Sequence, residues 1–132
     1  MTKKLLLVTN NVKALEVYGF HEEVGVEYLQ KKRYLDVLIR VRDLIHKGWH
    51  LMSHPQASNL KPYQSPYKTV LLSNVREVQS FAQDVEMVEN SIDAFHKFTK
   101  GMVPPNWPDK TLRDFRTIDL SVVETAIDRA LC

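Results

Sequence analysis

Four consecutive blocks near the start of the chain limit the fold more than any other feature. They are "KKLLLVTNN", "VKALEVYG", "VGVEYL" and "YLDVLIRVRDLIHKG". The first is a continuous apolar run, Leu5 to Val8, closed by turn formers, which is the pattern of a buried strand. The second reads as a short helix stopped by Gly19, and the third as another strand. In the fourth, Leu35, Leu38, Val41 and the Leu44/Ile45 pair recur at helical spacing, and Gly48 stands where a helix should stop. Val37 and Ile39 widen that apolar face, as expected for a helix pressed on a sheet. Its charges have local explanations: Asp36 with Arg40 and Asp43 with Lys47 stand four apart in the acid-first order.

"WHLM" and "YKTVLLS" supply a third and a fourth strand. Strands alternating with helices predict an α/β fold, with a small, mainly parallel four-stranded sheet and helices on both faces. A single domain over residues 1–132 is expected, its C-terminal half long and helical. The direction of strand four stays open. The loop before it serves either a parallel crossover without a regular helix or a wide antiparallel hairpin.

A long helix is predicted from about 76 to 99, where Val78, Phe81, Val85, Val88, Ile92 and Phe95 form a heptad-like stripe. Asn74 and Glu77 have capping-box spacing at its start. Such a helix spans roughly 36 Å, whereas a strand of ordinary length covers about 20 Å. Its far end, near Phe95 and Phe98, therefore needs another support. The choices are the C-terminal stripe of Leu120, Val123, Ile127 and Leu131, or a second subunit that makes a homodimer through the 76–99 helix.

With 44% hydrophobic and 26% charged residues, the chain has the make-up of an ordinary globular domain able to build a core without disulfides. A formal charge of +2 is too small to argue for a nucleic-acid partner. The densest basic run, Lys31 to Arg33, reads as a solvated turn before a helix, the alternative being a phosphate or lipid contact. The lone cysteine, Cys132, reads as a terminal thiol rather than a nucleophile. The apolar run after the N-terminal lysines is too short for a signal-peptide core, and no stretch approaches a membrane span. The expectation is a reduced, cytoplasmic protein that does not enter a membrane.

Recognised chemical motifs are missing. Gly19, Gly25, Gly48 and Gly101 stand alone, so no glycine-rich phosphate cradle follows a strand. No cofactor is expected. His46 and His50 are four apart, but Gly48 should end the helix between them, so no metal site is expected either.

What remains is one polar stretch, "SHPQASNLKPYQSPYKT", with three of the chain's six prolines. Ligands of open α/β sheets gather beyond the carboxyl ends of the strands. That rule selects Thr9, Asn10 and Asn11 after strand one, Ser53 and His54 after strand three, and, if strand four is parallel, Ser73 and Asn74. The loop adds Ser58, Asn59, Lys61, Ser65, Tyr67 and Lys68, and His54 is its one side chain that titrates near neutrality. For a small anion, the short helix after Asn11 is the better seat, since Lys13 stands in its first turn and no acid precedes Glu16. Thr9, Asn10, Asn11, Ser53, His54, Asn59, Lys61 and Lys68 are thus the candidate ligand-binding residues. An ordered connector or subunit contact is the competing role of the loop. Catalysis, with His54 as general acid or base, is a narrower alternative, because no nucleophile–base pair is identifiable.

The blocks "YLDVLIRVRDLIHKG", "SHP" and "KPYQSPYKTVLLS" together resemble the GrdX family over roughly residues 5 to 85. These are small proteins encoded beside the glycine, sarcosine and betaine reductases of anaerobic amino-acid-fermenting bacteria. The resemblance implies a cytoplasmic accessory protein of unestablished activity, and a further reading makes the long loop and long helix a docking surface for a reductase subunit. The resemblance brings no catalytic residues, and it does not make Cys132 a redox residue.

Overall fold

The computed structural model describes residues 3–56, 65–75, 80–103 and 105–131. The elements run β1 (Leu5–Thr9), α1 (Val12–Tyr18), β2 (Val24–Tyr28), α2 (Tyr34–His46), β3 (His50–Leu51), β4 (Thr69–Ser73), α3 (Ser80–Thr99) and α4 (Asp109–Leu131). The predicted starts and stops fall close to these bounds. Gly48 ends α2 at φ +108°, a backbone region that favours glycine, and its N–H closes on the Ile45 carbonyl at 3.1 Å. Glu77, of the capping pair expected with Asn74, and Val78, the first residue of the stripe, lie outside the described residues.

The sheet order is β2-β1-β4-β3. Only β1 and β2 are parallel; β4 runs antiparallel to both β1 and β3. The sheet is therefore mixed, which corrects the expectation of a mainly parallel one. The physical reason is that a continuous apolar run reports burial on both faces, not strand direction. All five residues of β4 are buried, because it is a central strand with helices above and below.

One face carries α2 and α3, which close over Val8, Val70 and Leu72 with Val37, Leu38, Val41, Ile45, Val88 and Ile92. The other carries α1 and α4, where Leu5, Leu7, Val24 and Leu71 meet Ala14, Leu120, Val123 and Ile127. Fully buried aliphatic side chains such as Leu38 and Leu71 each contribute about 1.5–3 kcal/mol of transfer free energy. The helices α3 and α4 thus cover opposite faces, so the far end of α3 does not rest on the C-terminal stripe. Instead Phe95 stacks on Tyr34 at the start of α2, with ring centroids 5.5 Å apart and planes 15° from parallel. Arg40 likewise turns from Asp36 to Glu27 on β2, with hydrogen bonds of 2.6 and 2.9 Å. Asp36 accepts the Arg33 N–H at 2.8 Å and caps α2. No described helix is long and apolar enough to cross a membrane.

Candidate functional site

The direction of β4 decides what meets at the sheet edge. Thr9, the last residue of β1, pairs in register with Thr69, the first of β4. Lys68 is thereby brought beside Asn10, while Ser73 and Asn74 go to the opposite edge, where the Asn74 N–H reaches the Lys4 carbonyl at 3.0 Å. The suggestion that Ser73 and Asn74 share the ligand edge required a parallel strand and is corrected.

On the α1/α4 face, the two threonine hydroxyls lie 2.7 Å apart, and Thr69 Oγ1 donates to Asp119 Oδ2 at 2.6 Å. That fixes the order of donation: Thr9 donates to Thr69 and accepts the Asn11 N–H at 2.9 Å. Asn11 Nδ2 donates to Asp119 Oδ2 and to the Arg116 carbonyl, both at 2.9 Å, while its Oδ1 accepts the Lys13 N–H. Burial pushes the Asp119 carboxyl up from its ordinary range, opposed by the Thr69 and Asn11 hydrogen bonds and by the Lys68 charge. Thr9 and Asn11 thus spend their polar atoms locking α1, β1, β4 and α4 together. Polar groups at the start of α1, the seat the sequence suggests for an anion, already have partners within the protein. Asn11 caps the helix, Lys13 Nζ donates to Thr117 at 3.0 Å, and α1 has only 7 residues.

The next residue along each strand belongs to the α2/α3 side. Asn10 Oδ1 accepts the Lys68 N–H at 2.9 Å, and its Nδ2 donates to the Pro66 carbonyl at 2.9 Å and the Lys32 carbonyl at 3.1 Å. One amide therefore ties the turn before α2 to the end of the polar loop. Lys68 is 2% exposed, and its ammonium lies 5.6 Å from the centre of the Tyr34 ring. No hydrogen bond or ion pair to that ammonium occurs among the described residues. Burial lowers the amine from 10.5 to about 8, against the opposing pull of Asp119. Burial, with a smaller contribution from Asp119, raises the Tyr34 hydroxyl well above its ordinary value.

A cleft of about 1060 Å³ opens over Asn10 and Tyr34. Lys31, Lys32 and Arg33 form one rim, and Ser65, Pro66 and Tyr67 form another. The far wall is the connection from α3 to α4, including Met102, Val103 and Trp107. Among the described residues no carboxylate lines it, so the charge of its lining is the positive charge of the Lys31–Arg33 rim. Lys31 holds φ +59°, the left-handed turn that brings the basic run to the rim. Tyr67 is held in place by Arg116 of α4, whose Nη1 donates to the phenol oxygen at 2.8 Å.

Of the residues selected from sequence, Asn10 lines the cleft and Lys68 lies just behind it. Ser53 is buried beside the middle of β4, its Oγ accepting the Leu71 N–H at 2.9 Å, and does not line the cleft. His54 is exposed, and its Nδ1 accepts the Gln56 N–H at 3.0 Å. Asn59, Lys61 and Ser58 lie outside the described residues. The sequence reading missed Asp119, Tyr34 as a wall, and the 102–107 connection. Asp119 left a signal: it occupies an apolar slot of the α4 stripe, four before Val123, where a carboxylate must be buried.

A profile of the GrdX-like protein family matches residues 6–128. No curated protein and no solved structure gives a match.

Proposed function

This chain belongs to the GrdX-like family, and we propose that it is an accessory protein that binds a small anionic ligand in the cleft beyond the end of β1. The setting would be glycine, sarcosine or betaine reduction, as the family resemblance implies. The observation that carries the reading is the charge of the cleft: three basic residues on its rim, no carboxylate among the described lining residues, and the Lys68 ammonium behind Tyr34. A buried cation with no hydrogen-bonded acid costs stability, so its presence beside a cationic opening favours a role in attracting negative charge. Asn10 and Lys68 are the sequence-selected residues that this reading retains, joined by Lys31, Lys32 and Arg33.

A thermal-shift series with phosphate, sulfate, acetate, glycine and acetyl phosphate tests it. An anion at 100 times its dissociation constant should stabilise the fold by about 2.7 kcal/mol, a shift of several degrees at this size. Lys32→Gln combined with Arg33→Gln should reduce the shift while leaving the unliganded melting temperature nearly unchanged, since both side chains are exposed. No shift with any of the five compounds would remove the anion reading.

A further inference from the structure

We infer that the anion taken by the cleft carries a planar aromatic ring system; this rests on the anion-binding reading above and names the rest of the ligand. The cleft is far larger than an inorganic oxyanion needs: about 1060 Å³ lies at the upper end of sites that enclose drug-sized molecules. An oxyanion at the basic rim would leave most of that space to water against apolar walls.

Five of the described lining residues carry aromatic rings, and contacts with neighbouring side chains orient four of them. Tyr34 and Phe95 stack on each other, and Phe95, the half-buried member of the pair, is the one that keeps surface towards the cleft. Trp107 is set edge-on by Phe115, with ring centroids 5.2 Å apart and planes at 82°. The Tyr67 ring lies 5.6 Å from the Arg116 guanidinium carbon and is tied by the hydrogen bond to its hydroxyl. Tyr28, at the end of β2, adds a ring from the sheet itself. Apart from Tyr34, these rings are only partly buried, so part of each remains open to a ligand. Rings fixed before binding lose little freedom on binding, and stacking rewards a flat partner over a flexible chain. A planar body over the rings, with its anionic group towards Lys31, Lys32 and Arg33, satisfies both halves of the site.

Isothermal titration of the whole chain with four probes tests this: 1-naphthyl phosphate, octyl phosphate, inorganic phosphate and 1-naphthol. The expected result is at least tenfold tighter binding of 1-naphthyl phosphate than of each of the other three. Trp107→Leu and Tyr28→Leu, made separately, should each weaken 1-naphthyl phosphate at least fivefold and leave inorganic phosphate unchanged. If octyl phosphate or inorganic phosphate equals 1-naphthyl phosphate, the aromatic body is refuted while the anion seat stands. Equal binding of 1-naphthol refutes the anion seat and leaves the ring-lined slot. If none of the four binds, both fail.

Discussion

Replacing Lys68 by methionine should make the protein more stable and, at the same time, a poorer anion binder. The amine falls from 10.5 to about 8, and at about 1.36 kcal/mol per pKa unit its burial as an ammonium costs on the order of 3 kcal/mol at neutral pH. Methionine has a similar length and no charge to desolvate. It forfeits the cation–π contact with Tyr34, worth about 0.5–2 kcal/mol. The net expectation is a gain of about 2 kcal/mol at pH 7, or roughly 1 M in the urea midpoint. The pH dependence gives a second check. Between about 8 and 10.5 the unfolded lysine keeps its proton while the folded one releases it, so wild-type stability rises with pH across that window. Below about pH 8 both states are protonated and the cost is constant. Above about pH 10 a second contribution opposes this rise, because the unfolded chain ionises its tyrosine before buried Tyr34 does. Urea melts of wild type and Lys68→Met at pH 6, 7.5, 9 and 10 should therefore converge towards the alkaline end. Phosphate affinity should fall about tenfold in the variant, and in the wild type it should decline above pH 8. A Lys68→Met protein that is less stable at pH 7, or a wild-type curve flat from pH 7.5 to 9.5, would refute the reasoning.

Two other substitutions test the frame that holds the cleft. Asp119→Ala leaves the buried Thr69 hydroxyl and the Asn11 amide short of an acceptor and should cost about 2–3 kcal/mol in urea unfolding, with Asp119→Asn costing less than half as much. Gly48→Ala meets no atom within 4 Å but must adopt φ +108°, so differential scanning calorimetry should show a loss of about 1–2 kcal/mol from backbone strain alone.

The elements were legible in the sequence because each carries its own period and its own stop. Leu5 to Val8 is a closed apolar run, and Leu38, Val41 and Ile45 repeat at helical spacing before Gly48. The direction of β4 was not legible, since its residues are buried on both faces whichever way it runs. That one ambiguity governed the edge: it decided whether Lys68 or Asn74 would join Asn10. Lys68 was selected as a loop cation, but its burial beneath Tyr34 follows from a pairing register that local sequence does not contain. The cleft was hidden for the same reason. Its walls come from the turn at 31–33, the loop end at 65–67 and the connection at 102–107, segments far apart in the chain with no shared motif. The Lys31–Arg33 run is an exposed turn before α2, as its composition suggests, and only the fold shows that it faces a cleft.

The most direct test of the central claim is a titration of the ¹⁵N-labelled protein with phosphate, followed by amide chemical shifts. The account predicts saturable shifts concentrated at Asn10, Lys31–Tyr34, Ser65, Tyr67 and Lys68. Amides on the α1/α4 face, such as those of Ala14, Val123 and Ile127, should stay still. Shifts centred instead on the first turn of α1 or around His54, with the turn at 31–34 unmoved, would contradict it.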